Sequence, residues 1–335
     1  MSNFEIKTIE GDIFESADNT SILNCALSSN IIFEYSCDSG RCGACKANLI
    51  KGEISEIKPQ LALNKKDKAS QFLTCCCEAS SDILIDATNL SALQGIEIKI
   101  LPARINSLTL LSEDIIEVKL RVPPTSDFIF LEGQHVDIIG PNSMKRAYSM
   151  ANTVSDKEIT FLIKKVKKGV FSNYWFKDAQ LNDLLRIQGP KGTFFLRDRT
   201  KSLVFLATGT GIAPIIAILK EMDNNSAIAR SEKISLFWGN REEKDFIWDF
   251  NFNNIDVDYH QVVSRKSDTW KGEVGYVQDV AIKTLKTFKN TNTFACGSIK
   301  MINAAKYSFI EAGLDEKDFY SDAFVENYND IRSEQ

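Results

Sequence analysis

Seven of the eight cysteines in this 335-residue chain fall before residue 78: Cys25, Cys37, Cys42, Cys45, Cys75, Cys76 and Cys77, with Cys296 alone beyond them. That distribution constrains the fold more than any bulk property, because it sets a small cysteine-bearing module apart from a remainder built on other principles. The start of the chain, MSNFEIKTIEGDIFESAD, has no basic segment followed by an apolar one, as a secretory leader would. No stretch reaches the roughly 18 consecutive apolar residues of a membrane-spanning helix. The expectation is a cytosolic protein with no membrane association, in which clustered thiols serve metal or redox chemistry rather than structural disulfides. A net charge of −5 gives no basic face for nucleic acid.

The length favours two or three domains. Residues 4–9 (FEIKTI) alternate like a strand, Thr20 or Ser21 is placed to cap a short helix over ILNCALSSN, and KANLIKG and SDILIDA read as further strands. From about 98 to 198, IKILPARI, IIEVKLRV, QHVDIIG, EITFLIKKV and LLRIQG are short strands parted by turn residues, the pattern of a small antiparallel barrel. From 202 the rhythm changes to continuous apolar strands (SLVFLA, KISLFWG, DYHQVVS, NTFACGS) alternating with helical stretches, including 277–287 and 300–312. That alternation indicates a parallel α/β sheet. The expected domains are 1–92, 98–198 and 199–335.

Within YSCDSGRCGACKANL, Cys37, Cys42 and Cys45 stand in C-x4-C-x2-C spacing, and Cys75 follows in FLTCC. This is the spacing of plant-type [2Fe–2S] sites, whose potentials lie near roughly −400 mV. A loop around such a cluster turns backbone N–H groups toward sulfur, and Ser39, Gly40, Gly43 and Ala44 are small enough to allow it. The competing reading is a zinc knuckle built on Cys42-x2-Cys45. Zinc sites usually show a second tight pair, which Cys75-Cys76-Cys77 does not supply. Cys76 or Cys77 could replace Cys75 as fourth ligand, and Cys25 reads as a small buried hydrophobe.

Residues 1–90 resemble the plant-type ferredoxin domain, including the LTC before the last cysteine. The resemblance implies a β-grasp fold and metal ligands Cys37, Cys42, Cys45 and Cys75. Arg146-Ala-Tyr-Ser149 resembles the R-x-Y-S flavin motif of the ferredoxin-reductase superfamily. That implies a β-barrel binding FAD, with Arg146 on the pyrophosphate, Tyr148 against the isoalloxazine and Ser149 at its N5 edge. KKVKKGVFSN resembles the G-x-x-S segment, implying that Gly169, Val170, Phe171 and Ser172 present N–H groups to the pyrophosphate. GPKGTF (Gly189–Phe194) resembles the turn closing the barrel.

SLVFLATGTGIAPI places Thr208, Gly209, Thr210 and Gly211 between a buried strand and a helix, where the backbone can approach a pyrophosphate. It resembles the G-T-G-x-A-P turn of the same superfamily, as Trp238-Gly239-Asn240-Arg241 resembles its W/Y-G-x-R segment and Cys296-Gly297 its C-G motif. The resemblance implies that Gly239, Arg241, Cys296 and Gly297 line the nucleotide, with Cys296 positioning the nicotinamide against flavin N5. Asp322 and Phe324 match a closing acid-x-aromatic segment beside the flavin. Arg265, in Ser264-Arg265-Lys266, is either a 2′-phosphate contact or a solvated loop charge. NADH is favoured, because the relatives that look most alike use it, with NADPH the alternative.

The motifs cover the whole chain in the order ferredoxin, flavin barrel, nicotinamide domain. Together they resemble the CDP-6-deoxy-3,4-glucoseen reductases, implying an NAD(P)H-dependent oxidoreductase that hands single electrons to a pyridoxamine-phosphate sugar dehydrase. A second reading is the reductase component of an aromatic-ring oxygenase, which shares the domain order. A third, from another class, is a non-enzymatic ferredoxin carrier with a degenerate nucleotide domain; the intact RAYS, GTGIAP and CGS segments argue against it.

Overall fold

The computed structural model describes residues 3–64, 70–167, 169–198, 200–225 and 233–324. The chain forms two compact units, Met1–Ile96 and Glu97–Gln335.

In the first unit, strands β1 (Glu5–Thr8) and β2 (Ile13–Glu15) make a hairpin and lead to helix α1 (Ile22–Ser28). The helix starts where it does because the Ser21 hydroxyl accepts the Asn24 N–H, satisfying one of the free donors of the first turn. Strands β3 (Lys46–Lys51), β4 (Ile54–Glu56), β5 (Gln71–Leu73), β6 (Cys77–Ala79) and β7 (Ile83–Asp86) follow. Among the described residues they form a five-stranded mixed sheet in the order β2-β1-β7-β3-β5, with β4 and β6 as a separate pair. The alternation in FEIKTI sends Ile6 and Thr8 inward, and β7 returns beside β1 in parallel. Cys25 lies on the buried face of α1 with Ile22, Leu23 and Ala26. This is a ferredoxin-type arrangement, with a long irregular loop between α1 and β3 left to carry chemistry.

The second unit opens with six antiparallel strands: β8 (Lys99–Ser112), β9 (Ile115–Arg121), β10 (His135–Ile139), β11 (Lys145–Ser149), β12 (Ile159–Lys164) and, after helix α2 (Val170–Lys177), β13 (Leu184–Lys191). Their order is β11-β10-β13-β8-β9-β12, wrapped around Val118, Leu120, Val136, Ile138, Phe161 and Ile187, all fully buried. The segment IKILPARI marks a first strand ending near Ile105, but β8 runs on to Ser112 with two register shifts against β9. Pro102 pairs with Arg186 of β13 but lies ahead of the β9 ladder, which begins at Arg104, so at that point β8 is paired on one side only. Gly189–Lys191 belongs to β13, so the turn expected over Gly189–Phe194 starts only at Gly192. The segment after Gly169 is helical, a feature the aromatic-rich string VFSNYWFK did not announce.

The remaining elements are β14 (Ser202–Thr208), α3 (Ile212–Asn224), β15 (Ile234–Asn240), β16 (Asp258–Val263), β17 (Glu273–Val274), α4 (Val277–Thr284), β18 (Thr291–Ser298), α5 (Ile299–Glu311) and β19 (Phe319–Phe324). Among the described residues the six strands are parallel, in the order β17-β16-β15-β14-β18-β19. The chain steps outward from β14 to β17, then crosses back to lay β18 on the other side of β14. The β14–β18 gap is thus the topological switch point, where ligands of open α/β sheets bind at the carboxyl ends of the strands. Barrel and sheet share one core: Ala151, Leu162 and Phe194 pack with Phe205, Leu236 and Phe294, and the Phe194 and Phe294 rings meet edge to face at 5.7 Å.

Candidate functional site

The cysteine loop is shaped by its sulfurs. Cys37 Sγ accepts the amides of Ser39 and Cys42, each at 3.4 Å, and Cys42 Sγ accepts that of Ala44 at 3.5 Å. Gly40 is left-handed at φ +71°, and a Cβ there would stand 2.4 Å from the Pro59 carbonyl and 2.6 Å from Cys76 Sγ. No other residue fits that position, and the backbone turns inward as a result. Cys45 and Cys75 bring their sulfurs to 3.2 Å. Electrostatics sorts the thiols the same way. A hydrogen bond with Cys42 holds Cys37 below the ordinary thiol value against the cost of burial, while the same bond and burial push Cys42 up. Cys75 is lowered likewise by Cys45, Cys76 and the Gly40 amide, while Cys45 is raised. Among the described residues no three His, Cys, Asp or Glu side chains are gathered for a single metal ion. The four sulfurs expected to bind the cluster stand as two pairs, Cys37 with Cys42 and Cys45 with Cys75, with Cys76 Sγ a further neighbour 3.5 Å from Cys75 Sγ, and a binuclear cluster takes two ligands on each iron. Cys77 lies in β6 opposite Glu56, buried in the sheet.

On β11, Arg146 and Tyr148 share one face and Ser149 the other. The Tyr148 ring meets Trp175 edge-on at 6.4 Å and tilts on Phe171 at 6.2 Å, and burial raises its hydroxyl to about 12. Both partner rings stand on α2, so the helix start is fixed beside Tyr148. There the Gly169 N–H is taken by the Val166 carbonyl at 2.9 Å, and the Ser172 hydroxyl accepts the Val166 amide while donating to Gly169 O at 3.0 Å. Gly169 and the Ser172 side chain therefore brace the loop. The amides of Val170, Phe171 and Ser172, which have no intrahelical acceptor, remain to face an anion. Arg146, half-buried, donates to the Lys145 carbonyl at 2.6 Å. A helix N-terminus, a guanidinium-bearing strand and a tyrosine ring together suit a flavin with its pyrophosphate.

At the switch point the turn Gly209–Gly211 presses on the end of β18. A Cβ on Gly211 would come within 2.3 Å of the Cys296 carbonyl oxygen. The Ser298 amide donates to Thr208 Oγ1 at 3.3 Å, and the Trp238 indole N–H donates to Gly209 O at 2.9 Å, so Thr208, Gly209, Gly211, Gly297 and the β15 end form one wall. Cys296 is fully buried; burial, then the nearby Asp322, pushes its thiol well up, so it is a neutral group. Asp322 sits opposite Cys296 in the β18–β19 register, and its Oδ2 accepts the Ser149 hydroxyl at 2.9 Å. That bond joins the flavin strand to the nucleotide sheet. Phe324 ends β19 at 40% exposure, a large aromatic face left open.

Arg241 and Arg265 lie further along the same carboxyl edge, both exposed, with the Arg265 amide donating to Arg241 O at 2.9 Å. Asn240 Nδ2 and Gln278 Oε1 are buried with no hydrogen-bond partner, and Tyr276, at the start of α4, is 65% exposed. Buried amide atoms without partners and an open ring at a strand end fit a dinucleotide that would supply contacts. Nothing in a lone Asn or Gln marks it in sequence; the signal is their burial.

Three models of known families match in chain order: the 2Fe-2S iron-sulfur cluster binding domain over residues 7–80, the oxidoreductase FAD-binding domain over 102–196 and the oxidoreductase NAD-binding domain over 205–307. Fold and sites thus define a nicotinamide-dependent iron–sulfur flavoprotein reductase. The chain is 38% identical to the CDP-6-deoxy-L-threo-D-glycero-4-hexulose-3-dehydrase reductase of Yersinia pestis, covering 94% of this chain and 96% of that one. It is 30% identical to the ferredoxin–NAD(P)(+) reductase CarAd of Metapseudomonas resinovorans, over 91% and 94%. Among solved structures, the ferredoxin reductase in carbazole 1,9a-dioxygenase superposes with a TM-score of 0.68 at 27% identity, over 97% and 99%. The chain belongs to the family of iron–sulfur flavoprotein reductases that includes the hexulose-3-dehydrase reductases. Its activity is to pass electrons from NAD(P)H through FAD and a [2Fe–2S] cluster to a partner protein.

Proposed function

We propose that the electron acceptor is a nucleotide-sugar 3-dehydrase carrying pyridoxamine phosphate, and that the chain serves deoxysugar synthesis. The observation that carries this reading is the 38% identity, along nearly the full length of both chains, to a reductase named for such a dehydrase, against 30% to CarAd. In this reading residues 1–92, 98–198 and 199–335 are the ferredoxin, flavin and nicotinamide domains. Cys37, Cys42, Cys45 and Cys75 hold the cluster. Arg146, Tyr148 and the amides of Val170, Phe171 and Ser172 hold FAD, with Gly169 bracing that helix start. Thr208 to Gly211, Gly239, Gly297 and Phe324 shape the nicotinamide end; Arg241, Arg265, Tyr276 and Gln278 receive the adenosine end.

When bound, FAD and the cluster supply the change from a two-electron donor to one-electron delivery. The chain's own residues place them. Asp322 holds the proton of Ser149 Oγ, which turns the hydroxyl lone pairs away from the carboxylate and toward the flavin edge. Cys296 fills the nicotinamide floor with a neutral thiol and takes no part as a nucleophile. Gly211, flush against Cys296, leaves room for the nucleotide to approach.

The test is NAD(P)H consumption with two acceptors, a nucleotide-sugar 3-dehydrase with its substrate and a ring-dioxygenase component. Faster turnover with the dehydrase is expected. Turnover with the oxygenase alone would replace this reading with the oxygenase-reductase one.

A further inference from the structure

Cys76 follows the fourth cluster cysteine and is pinned on both sides of its peptide. Its amide donates to the Leu73 carbonyl at 2.9 Å, and its own carbonyl accepts the amides of Ile57 at 2.8 Å and Lys58 at 3.1 Å. The side chain is therefore aimed by the backbone, and it is fully buried, so no water competes for the thiol. Its sulfur lies 3.5 Å from Cys75 Sγ and 3.7 Å from the Pro59 carbonyl oxygen. On the remaining side it meets the cluster loop at Gly40, where a Cβ would approach to 2.6 Å. The thiol is wedged among a ligand sulfur, the loop that wraps the cluster and one carbonyl.

The chemistry of ligation settles which partner the S–H takes. A cysteine bound to iron is a thiolate and has no proton to give, so between Cys75 and Cys76 the donor must be Cys76. The anionic sulfur is both nearer than the Pro59 carbonyl and the stronger acceptor. We propose that Cys76 is a positioning residue for the cluster, donating its S–H to the Cys75 ligand sulfur and raising the reduction potential. Hydrogen bonds to ligand sulfurs draw charge off the cluster and favour its reduced form. The inference rests on Cys75 as the fourth ligand.

The experiment is an EPR-monitored redox titration of the full-length protein carrying Cys76→Ala, Cys76→Val or Cys76→Ser, with iron and acid-labile sulfide measured on each. The Ala and Val variants lose the donor, and their midpoint potentials are expected to move negative of the wild type. The Ser variant, which keeps a donor, is expected to recover part of that shift. Pulsed EPR of the reduced cluster after exchange into D2O gives a second readout: beyond the couplings of the loop amides of Ser39, Cys42 and Ala44, one further exchangeable coupling is present in the wild type and the Ser variant and lost in Ala and Val. Unchanged potentials in the loaded Ala and Val variants would overturn the proposal. Cluster loss on Cys76→Ala together with full loading of Cys75→Ala would overturn the ligand assignment itself, moving the fourth ligand to Cys76.

Discussion

The Ser149–Asp322 hydrogen bond is the smallest unit on which the proposed chemistry depends, because its two ends come from different layers of the second unit. Ser149 is 8% exposed and Asp322 5%, and the bond between them is buried, so water does not replace either partner. A hydrogen bond to a charged group is worth about 1.5–3 kcal/mol, which converts to roughly a 10- to 100-fold change in rate if it is felt in the transition state. Ser149→Ala and Asp322→Asn are each expected to slow flavin reduction by NAD(P)H by that factor in stopped-flow bleaching. The two should be strongly non-additive, since each removes the same bond; a double variant slowed by the product of the two factors would show that they act apart. The cysteine loop gives a second prediction on this scale. Cys42 is one of the four sulfurs assigned to the cluster, so Cys42→Ala should lose acid-labile sulfide and the cluster's visible absorption. Flavin bleaching by NAD(P)H should persist in that variant, because none of the residues assigned to hydride transfer is near it in sequence or sheet.

Among elements, strands β10, β11 and β13 are held by one carboxylate. Asp137 on β10 accepts from Lys191 Nζ of β13 at 2.6 Å and meets Lys145 Nζ of β11 at 3.1 Å. Burial pushes the carboxyl up, but the two ammonium groups outweigh it and the net shift is downward. A depressed folded-state value means the stabilisation is present above the ordinary carboxyl value, near 3.9, and is lost as pH falls through the lowered one. Asp137→Asn should therefore cost about 1–3 kcal/mol at neutral pH, and the gap from wild type in denaturation experiments should close below about pH 4. A gap that stays constant into acid would mean that Asp137 works by shape and not charge. A second element-scale prediction concerns the turn after β14. Gly211→Ala puts a methyl on the Cys296 carbonyl, a backbone atom that cannot swing aside. KM for NAD(P)H should rise about tenfold or more, with flavin and cluster colour retained. These elements also show where the sequence spoke and where it did not. The cysteine spacing and the GTG turn were legible because each works through a short run of consecutive residues. The continuous apolar strands of the nicotinamide sheet were legible because a sheet covered on both faces needs them. Helix α2 was not, since its aromatic string carries no clear period until Tyr148 packs on it. Asp322 was nameable only by resemblance, because it meets Ser149 across 173 residues of sequence. The orphaned Asn240 and Gln278 amides are visible only once burial is known.

At the scale of the whole molecule, the division at Ile96 and Glu97 separates the cysteine loop from every residue assigned to flavin and nucleotide. Each part has its own sheet and its own buried core: Ile6, Ile22, Leu73 and Ile85 in the first, Phe161 and Ile187 with Phe205 and Phe294 in the second, all fully buried. A unit with its own core can fold alone, and the Ser149–Asp322 bond lies wholly inside the second. Residues 97–335 expressed alone are therefore expected to bind FAD and bleach it with NAD(P)H at the wild-type rate. Residues 1–96 alone should assemble the cluster but remain oxidised when NAD(P)H is added, since no hydride acceptor is present. Mixing the two should restore cluster reduction only as a bimolecular reaction, with a rate proportional to concentration, where the intact chain shows none of that dependence. If residues 97–335 bound flavin but failed to react with NAD(P)H, a group from the first unit would have to complete the hydride site. The assignment of Ser149, Cys296 and Asp322 as a self-sufficient set would then be wrong.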